Sequence, residues 1–145
     1  MARASYLEVN SGVSNFKMKV ENVVADRTLT ANDSGKVFTL DQDASFNITL
    51  PTAAAAGAGW HAKFILTDAG SGTVKVIPNS AEDTLIGMIT TAADGAASPS
   101  AESGVDELIW VASTAAPGDW AELVCDGSNF YVFGQQHDAD HITLS

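Results

Sequence analysis

The sequence contains one cysteine, Cys125, in 145 residues. An internal disulfide is therefore excluded, and with it a cysteine-stapled scaffold. Cys125 stands in the apolar stretch Ala121-Glu122-Leu123-Val124-Cys125, where a small buried hydrophobe is a simpler reading than a nucleophilic thiol. No apolar run approaches the ~18 residues needed to span a bilayer as a helix. The start, Met1-Ala2-Arg3-Ala4-Ser5-Tyr6, leads into Leu7-Glu8-Val9-Asn10 without the apolar core of a signal peptide. Synthesis in the cytoplasm and no membrane partner are the expectations. Positive charge is also scarce, with seven Lys and Arg against eighteen Asp and Glu and a formal charge of −11. Without a basic stripe to displace counterions from phosphates, nucleic acid is not an expected partner.

Catalytic equipment is thin. The only histidines are His61, His137 and His141, and no Gly-x-Ser-x-Gly elbow occurs. Gly57 and Gly59 precede a strand, whereas a phosphate loop needs strand, glycine turn and helix in that order. The turn aspartates Asp41, Asp43, Asp68 and Asp126 lack the alternating acids and distal glutamate of an EF-hand. The run His137-Asp138-Ala139-Asp140-His141 offers four potential metal ligands. It lies outside any predicted helix and near the C terminus, where nothing preorganises it, so it reads as a solvated polar tail. No catalytic residue, cofactor or metal is expected, and the chain reads as non-enzymatic.

What the sequence does have is short β-patterned segments divided by turn signals. Phe46, Ile48 and Leu50 alternate with Asn47 and Thr49 before Pro51 ends the strand. Lys36 to Leu40 forms another strand, and five residues separate it from Phe46, the length of a hairpin loop. Trp60 to Leu66 and Val74 to Ile77, joined across Asp68-Ala69-Gly70-Ser71-Gly72, read as a second hairpin. Leu85 to Thr90 is a shorter strand, and Thr91 to Gly104, rich in Ala, Ser, Gly and Asp, reads as a surface loop. Glu107 to Ala112 is apolar on both faces, as a strand covered on both sides would be. Trp120 to Cys125 and Phe130 to Phe133 form a hairpin around Asp126-Gly127-Ser128-Asn129, where Asp-Gly supplies the positive φ of a tight turn. Thr52 to Gly59 holds at most one or two helical turns. No repeat of 20 to 50 residues supports a solenoid. The predicted fold is all-β, an antiparallel β-sandwich or jelly-roll-like knob with an extended N-terminal segment.

Charge is distributed unevenly. Residues 1–36 hold five basic and four acidic residues, net +1, and the remainder holds two basic and fourteen acidic, net −12. Phe16, Met18 and Val20 alternate with Lys17, Lys19 and Glu21, a strand pattern that fits either an arm pairing outside the domain or the first strand of the body. The aromatics Trp60, Trp110, Trp120 and Tyr131 read first as core. On one outward face they would make a sugar-stacking platform.

Phe46-Asn47-Ile48-Thr49-Leu50-Pro51, the Ala/Gly stretch ending at Gly59-Trp60, Lys63 to Leu66, and Val74 to Ile77 together resemble a segment of tailed-bacteriophage virion proteins. Ile109 to Thr114, Gly118 to Val124 and Asp126 to Gly134 are similar to capsid decoration, or cement, proteins and to modules of phage fibres. The resemblance spans residues 28 to 134. It implies a knob, commonly a homotrimer, that sits outside an assembled capsid and bridges copies of the major capsid protein. The alternative it implies is a carbohydrate- or receptor-binding fibre module. On this reading residues 1–27 are an arm or first strand, 28–136 the body and 137–145 a C-terminal tail. Tyr6, Leu7, Val9, Phe16, Met18 and Val20 are the candidate apolar anchors on the capsid, with Lys17 and Lys19 meeting its acids.

Overall fold

The computed structural model describes residues 17–81 and 83–145. In these the chain forms β1 (Val20–Val23), β2 (Arg27–Thr28), β3 (Val37–Asp41), β4 (Phe46–Thr49), β5 (His61–Asp68), β6 (Val74–Ile77), β7 (Leu85–Thr91), β8 (Ser100–Val105), β9 (Leu108–Trp110), β10 (Trp120–Cys125), β11 (Phe130–Gln136) and β12 (Ile142–Leu144). One sheet has the order β1-β3-β5-β10-β11-β7-β8, the other β12-β9-β6-β4-β2. A single helical turn, Ala53–Ala56, follows β4, and the Thr52 hydroxyl caps it by accepting from the Ala55 N–H at 3.2 Å. Among the described residues no helix is long and apolar enough to cross a membrane.

Period-2 patterning is what places the core. In β4 Phe46 and Ile48 are buried and Asn47 is exposed; in β5 Ala62, Phe64 and Leu66 are buried; in β10 Ala121, Leu123 and Cys125 are. Both sheets contribute to one cluster. Phe64 stacks on Phe38 at 5.4 Å within the larger sheet and meets Trp110 of the smaller at 6.3 Å. Ring pairs of this kind add to their area burial. Cys125 is buried, and burial pushes its thiol pKa up.

The all-β expectation holds, but strand direction needs correction: the sheets are mixed, and five of the ten pairings among the described residues are parallel. The two early hairpins are the cause. β3 and β4 lie in different sheets, as do β5 and β6, so the loops Asp41–Ser45 and Asp68–Gly72 are corners between layers. From β1 to β6 the chain alternates between sheets, and β1, β3 and β5 run parallel on one while β2, β4 and β6 run parallel on the other. This is three coils of a solenoid-like winding without a sequence repeat. The corners stack on each other: the Gly72 N–H donates to the Gln42 carbonyl at 2.8 Å. A Cβ at Gly70 would lie 2.3 Å from the Gln42 carbonyl oxygen, and one at Gly72 would lie 2.2 Å from the Ala44 carbonyl. Glycine there permits close backbone approach, not a hairpin turn.

Three further segments are resolved by pairing. Thr91 to Gly104 is only partly loop, since Ser100–Val105 adds β8 to the edge of β7. In β9 Leu108 and Trp110 are buried while Ile109 is half-buried, so cover is incomplete on one face. Residues 137–145 include β12, which pairs with β9 and buries Ile142. The hairpin of β10 and β11 is as expected, with Leu123 opposite Val132, Gly127 at φ +97°, and Asp126 Oδ1 accepting the Ser128 and Asn129 N–H groups at 2.8 Å.

A Gly72→Ala change forces two carbonyl-lined corners apart and is expected to cost about 1–3 kcal/mol. Ser71→Ala, at an exposed neighbour, is expected to stay within about 0.5 kcal/mol. Urea unfolding midpoints of the two variants check this.

Candidate functional site

Three places on the described surface have the means to bind something. The first is β1, which among the described residues forms an open edge of the larger sheet. Val37 N–H donates to the Lys19 carbonyl at 2.9 Å, which fixes the start of β1 against β3. Val23 points into the core, whereas Val20 is 60% exposed and Met18 is exposed beside it. Of the candidate anchors, Lys17, Met18 and Lys19 are exposed and precede β1, which Val20 begins. Tyr6, Leu7, Val9 and Phe16 lie outside the described residues. The arm and first-strand readings of Phe16 to Ala25 therefore meet at Val20, where the sequence alternation continues into a paired edge strand. Two of the N-terminal cations are not free to meet a partner: Arg27 pairs with Glu21 and Asp33, and Lys36 pairs with the same two acids. Lys17 and Lys19 remain exposed.

The opposite part of the larger sheet carries an apolar patch that sequence reasoning missed. Phe133 of β11 is 52% exposed and lies in register with exposed Met88 of β7. With Ile86, Ala101 and Tyr131 they border a shallow groove of about 570 Å³. The signal was present in Phe130-Tyr131-Val132-Phe133: four apolar residues in a row cannot all face one core, so one face of that strand had to turn large rings outward.

The third place is built around Asp119, whose side chain is fully buried. Its Oδ2 accepts the Ala116 N–H at 2.7 Å and its Oδ1 the His137 N–H at 2.8 Å. His137 Nδ1 lies 2.6 Å from Oδ1 and His141 Nδ1 2.8 Å from Oδ2. Three segments converge: the loop before β10, the end of β11, and the residue before β12. The His137–His141 run is thus not a solvated tail, because β12 and the buried carboxylate hold both of its histidines. The sequence supplied these two, but counting ligands only within 137–141 hid the third. Burial raises the pKa of the Asp119 carboxyl, yet the Ala116 N–H, the His137 ring and N–H, and the His141 ring outweigh it and hold the group below its usual range. His137 is 60% exposed and faces a cleft of about 310 Å³ bordered by Pro117, Gly118, Trp120 and Gln135.

The aromatic platform does not form. Trp60 and Trp110 are buried, Lys63 Nζ covers the Trp120 ring at 4.1 Å, and the Tyr131 hydroxyl donates to Asp126 at 3.1 Å.

A carboxyl with a lowered folded-state pKa contributes stability that is complete above its unfolded value of about 3.9 and lost as pH falls through the folded value. The stability gap between the wild type and Asp119→Asn is expected to be full above about pH 5 and to shrink in more acid solution. Urea midpoints measured across that range check it, and a gap independent of pH would contradict it.

Comparison of the chain with protein-family models, with curated proteins and with solved structures finds no match.

Proposed function

We propose that the chain is a structural virion protein of a tailed bacteriophage, a capsid decoration protein that binds the outside of the assembled shell and bridges copies of the major capsid protein. The observation that carries this reading is the open edge at β1, where exposed Met18 and Val20, flanked by Lys17 and Lys19, lead into a strand with one side unpaired among the described residues. An edge strand accepts a partner by strand addition, with alternate side chains giving specificity. Two sheets over one core support a sandwich-like knob as the body, and an acidic surface keeps such a knob soluble until it docks. The Met88–Phe133 patch suits self-association, which here means a homotrimer. The body needs no catalytic centre for this work.

Purified chain mixed with undecorated capsids of the phage that encodes it is expected to add density at fixed lattice positions in electron cryomicroscopy. Absence of that density would sink the proposal. A Met18→Asp, Val20→Asp double variant, with both changes on exposed side chains, is expected to keep the fold by circular dichroism and to lose capsid affinity by about tenfold or more. Phe133→Glu is expected to shift the sedimentation of the free protein from trimer to monomer. An unchanged trimer would assign self-association to another face.

A further inference from the structure

We infer that Asp119, His137 and His141 form a binding site for one divalent transition-metal ion of the zinc or cobalt class. One donor atom from each of the three residues lies within 4.8 Å of the others. Two imidazoles and one carboxylate are a donor set suited to such ions, whereas calcium and magnesium take oxygen donors.

The carboxylate is preorganised. Two backbone N–H groups, from Ala116 and His137, hold one acceptor position on each oxygen. This leaves the other two positions aimed at the two Nδ1 atoms. Donors at adjacent corners of a tetrahedral ion with bonds of about 2.1 Å are separated by about 3.4 Å. The observed Nδ1 to oxygen distances are 2.6 Å to Oδ1 and 2.8 Å to Oδ2, so each ring must withdraw by about 0.6–0.8 Å for an ion to take the place of these hydrogen bonds.

Charge points the same way. A buried carboxylate is costly to keep ionised without a positive partner. Among the described residues, Arg27 and Lys36 pair with Glu21 and Asp33, Lys75 pairs with Glu107, and Lys63 sits over Trp120. None of these reaches Asp119, whose own partners are two amides and two imidazoles. A bound cation would add direct charge stabilisation to these hydrogen bonds. The cleft beside His137 gives water and the ion a way in, and Gly118 keeps it open: a Cβ there would stand 3.3 Å from His137 Cε1. Bound in this position, the ion clips the segment entering β12 to the start of β10 and the end of β11.

The test uses the full chain, stripped with a chelator and titrated with Zn²⁺ and with Co²⁺ as a spectroscopic probe. The expected result is one ion per chain, a visible Co²⁺ absorption band, and a rise in Tm with Zn²⁺. His137→Ala, at an exposed side chain whose loss leaves the core intact, is expected to weaken Zn²⁺ binding by about 100-fold or more, beyond what loss of a supporting hydrogen bond to a ligand costs. His141→Ala should do the same. The inference is overturned if the wild type binds Zn²⁺ no more tightly than His137→Ala, or if Zn²⁺ leaves Tm unchanged while nitrogen NMR shows both Nδ1 atoms still protonated toward Asp119. In that case the cluster is a hydrogen-bonded triad only.

Discussion

At the corner between β3 and β4 the Gln42 carbonyl accepts the Gly72 N–H of the next corner, and the two loops approach so closely that neither position 70 nor position 72 has room for a Cβ. This contact sets the vertical spacing of the winding. With the corners stacked, β3 and β5 must run parallel in one sheet and β4 and β6 in the other. The inward residues of the two layers then meet as Phe64 meets Trp110. The position of β9 against β6, and of β12 against β9, follows from that layer, and so does the placement of His141 beside Asp119.

Individual strands were legible in the sequence because alternation is a local property. Phe46-Asn47-Ile48-Thr49 announces its buried face within four residues, and Asp126-Gly127 announces its turn within two. Sheet membership is not local. A five-residue link such as Asp41–Ser45 serves equally as a hairpin loop or as a corner, and only contacts with a distant segment, here Gly70 and Gly72, decide between them. The edge strand β8 escaped for a related reason: Ser100-Ala101-Glu102-Ser103-Gly104-Val105 has little strand propensity, and it pairs because β7 offers an open side. At the candidate sites the histidines were visible as a cluster, but Asp119, eighteen residues before His137 in the chain, was one acid among many. The exposure of Met18 and Val20 did not follow from their alternation with Lys17 and Lys19, which fits a buried face equally well; nor did the Met88–Phe133 patch, because outward-facing apolar residues look like core until the partner sheet is placed.

Electrostatics also takes a different shape in three dimensions. The near-neutral balance of residues 1–36 suggested a basic segment free to meet acids elsewhere. In the fold Arg27 and Lys36 close a local network with Glu21 and Asp33; burial opposes ionisation of both acids, but Lys36 and Arg27 at Glu21, and Lys36 with the Thr30 N–H and hydroxyl at Asp33, outweigh it and lower their pKa values. The network fastens the β1–β2 segment to the following turn. Lys17 and Lys19 are left exposed beside Met18 and Val20, in a chain whose net charge is −11.

The hairpin of β10 and β11 is the most local piece of structure in the chain, yet it occupies the middle of the seven-stranded sheet, between β5 and β7. Until residues 120–136 have been synthesised, β5 has no neighbour on that side, and the parallel coils of the N-terminal half present a raw strand edge. Such edges are templates for pairing with other chains. The hairpin fills both gaps, β10 pairing with β5 and β11 with β7. The larger sheet therefore cannot be completed until this late-encoded hairpin stands between β5 and β7.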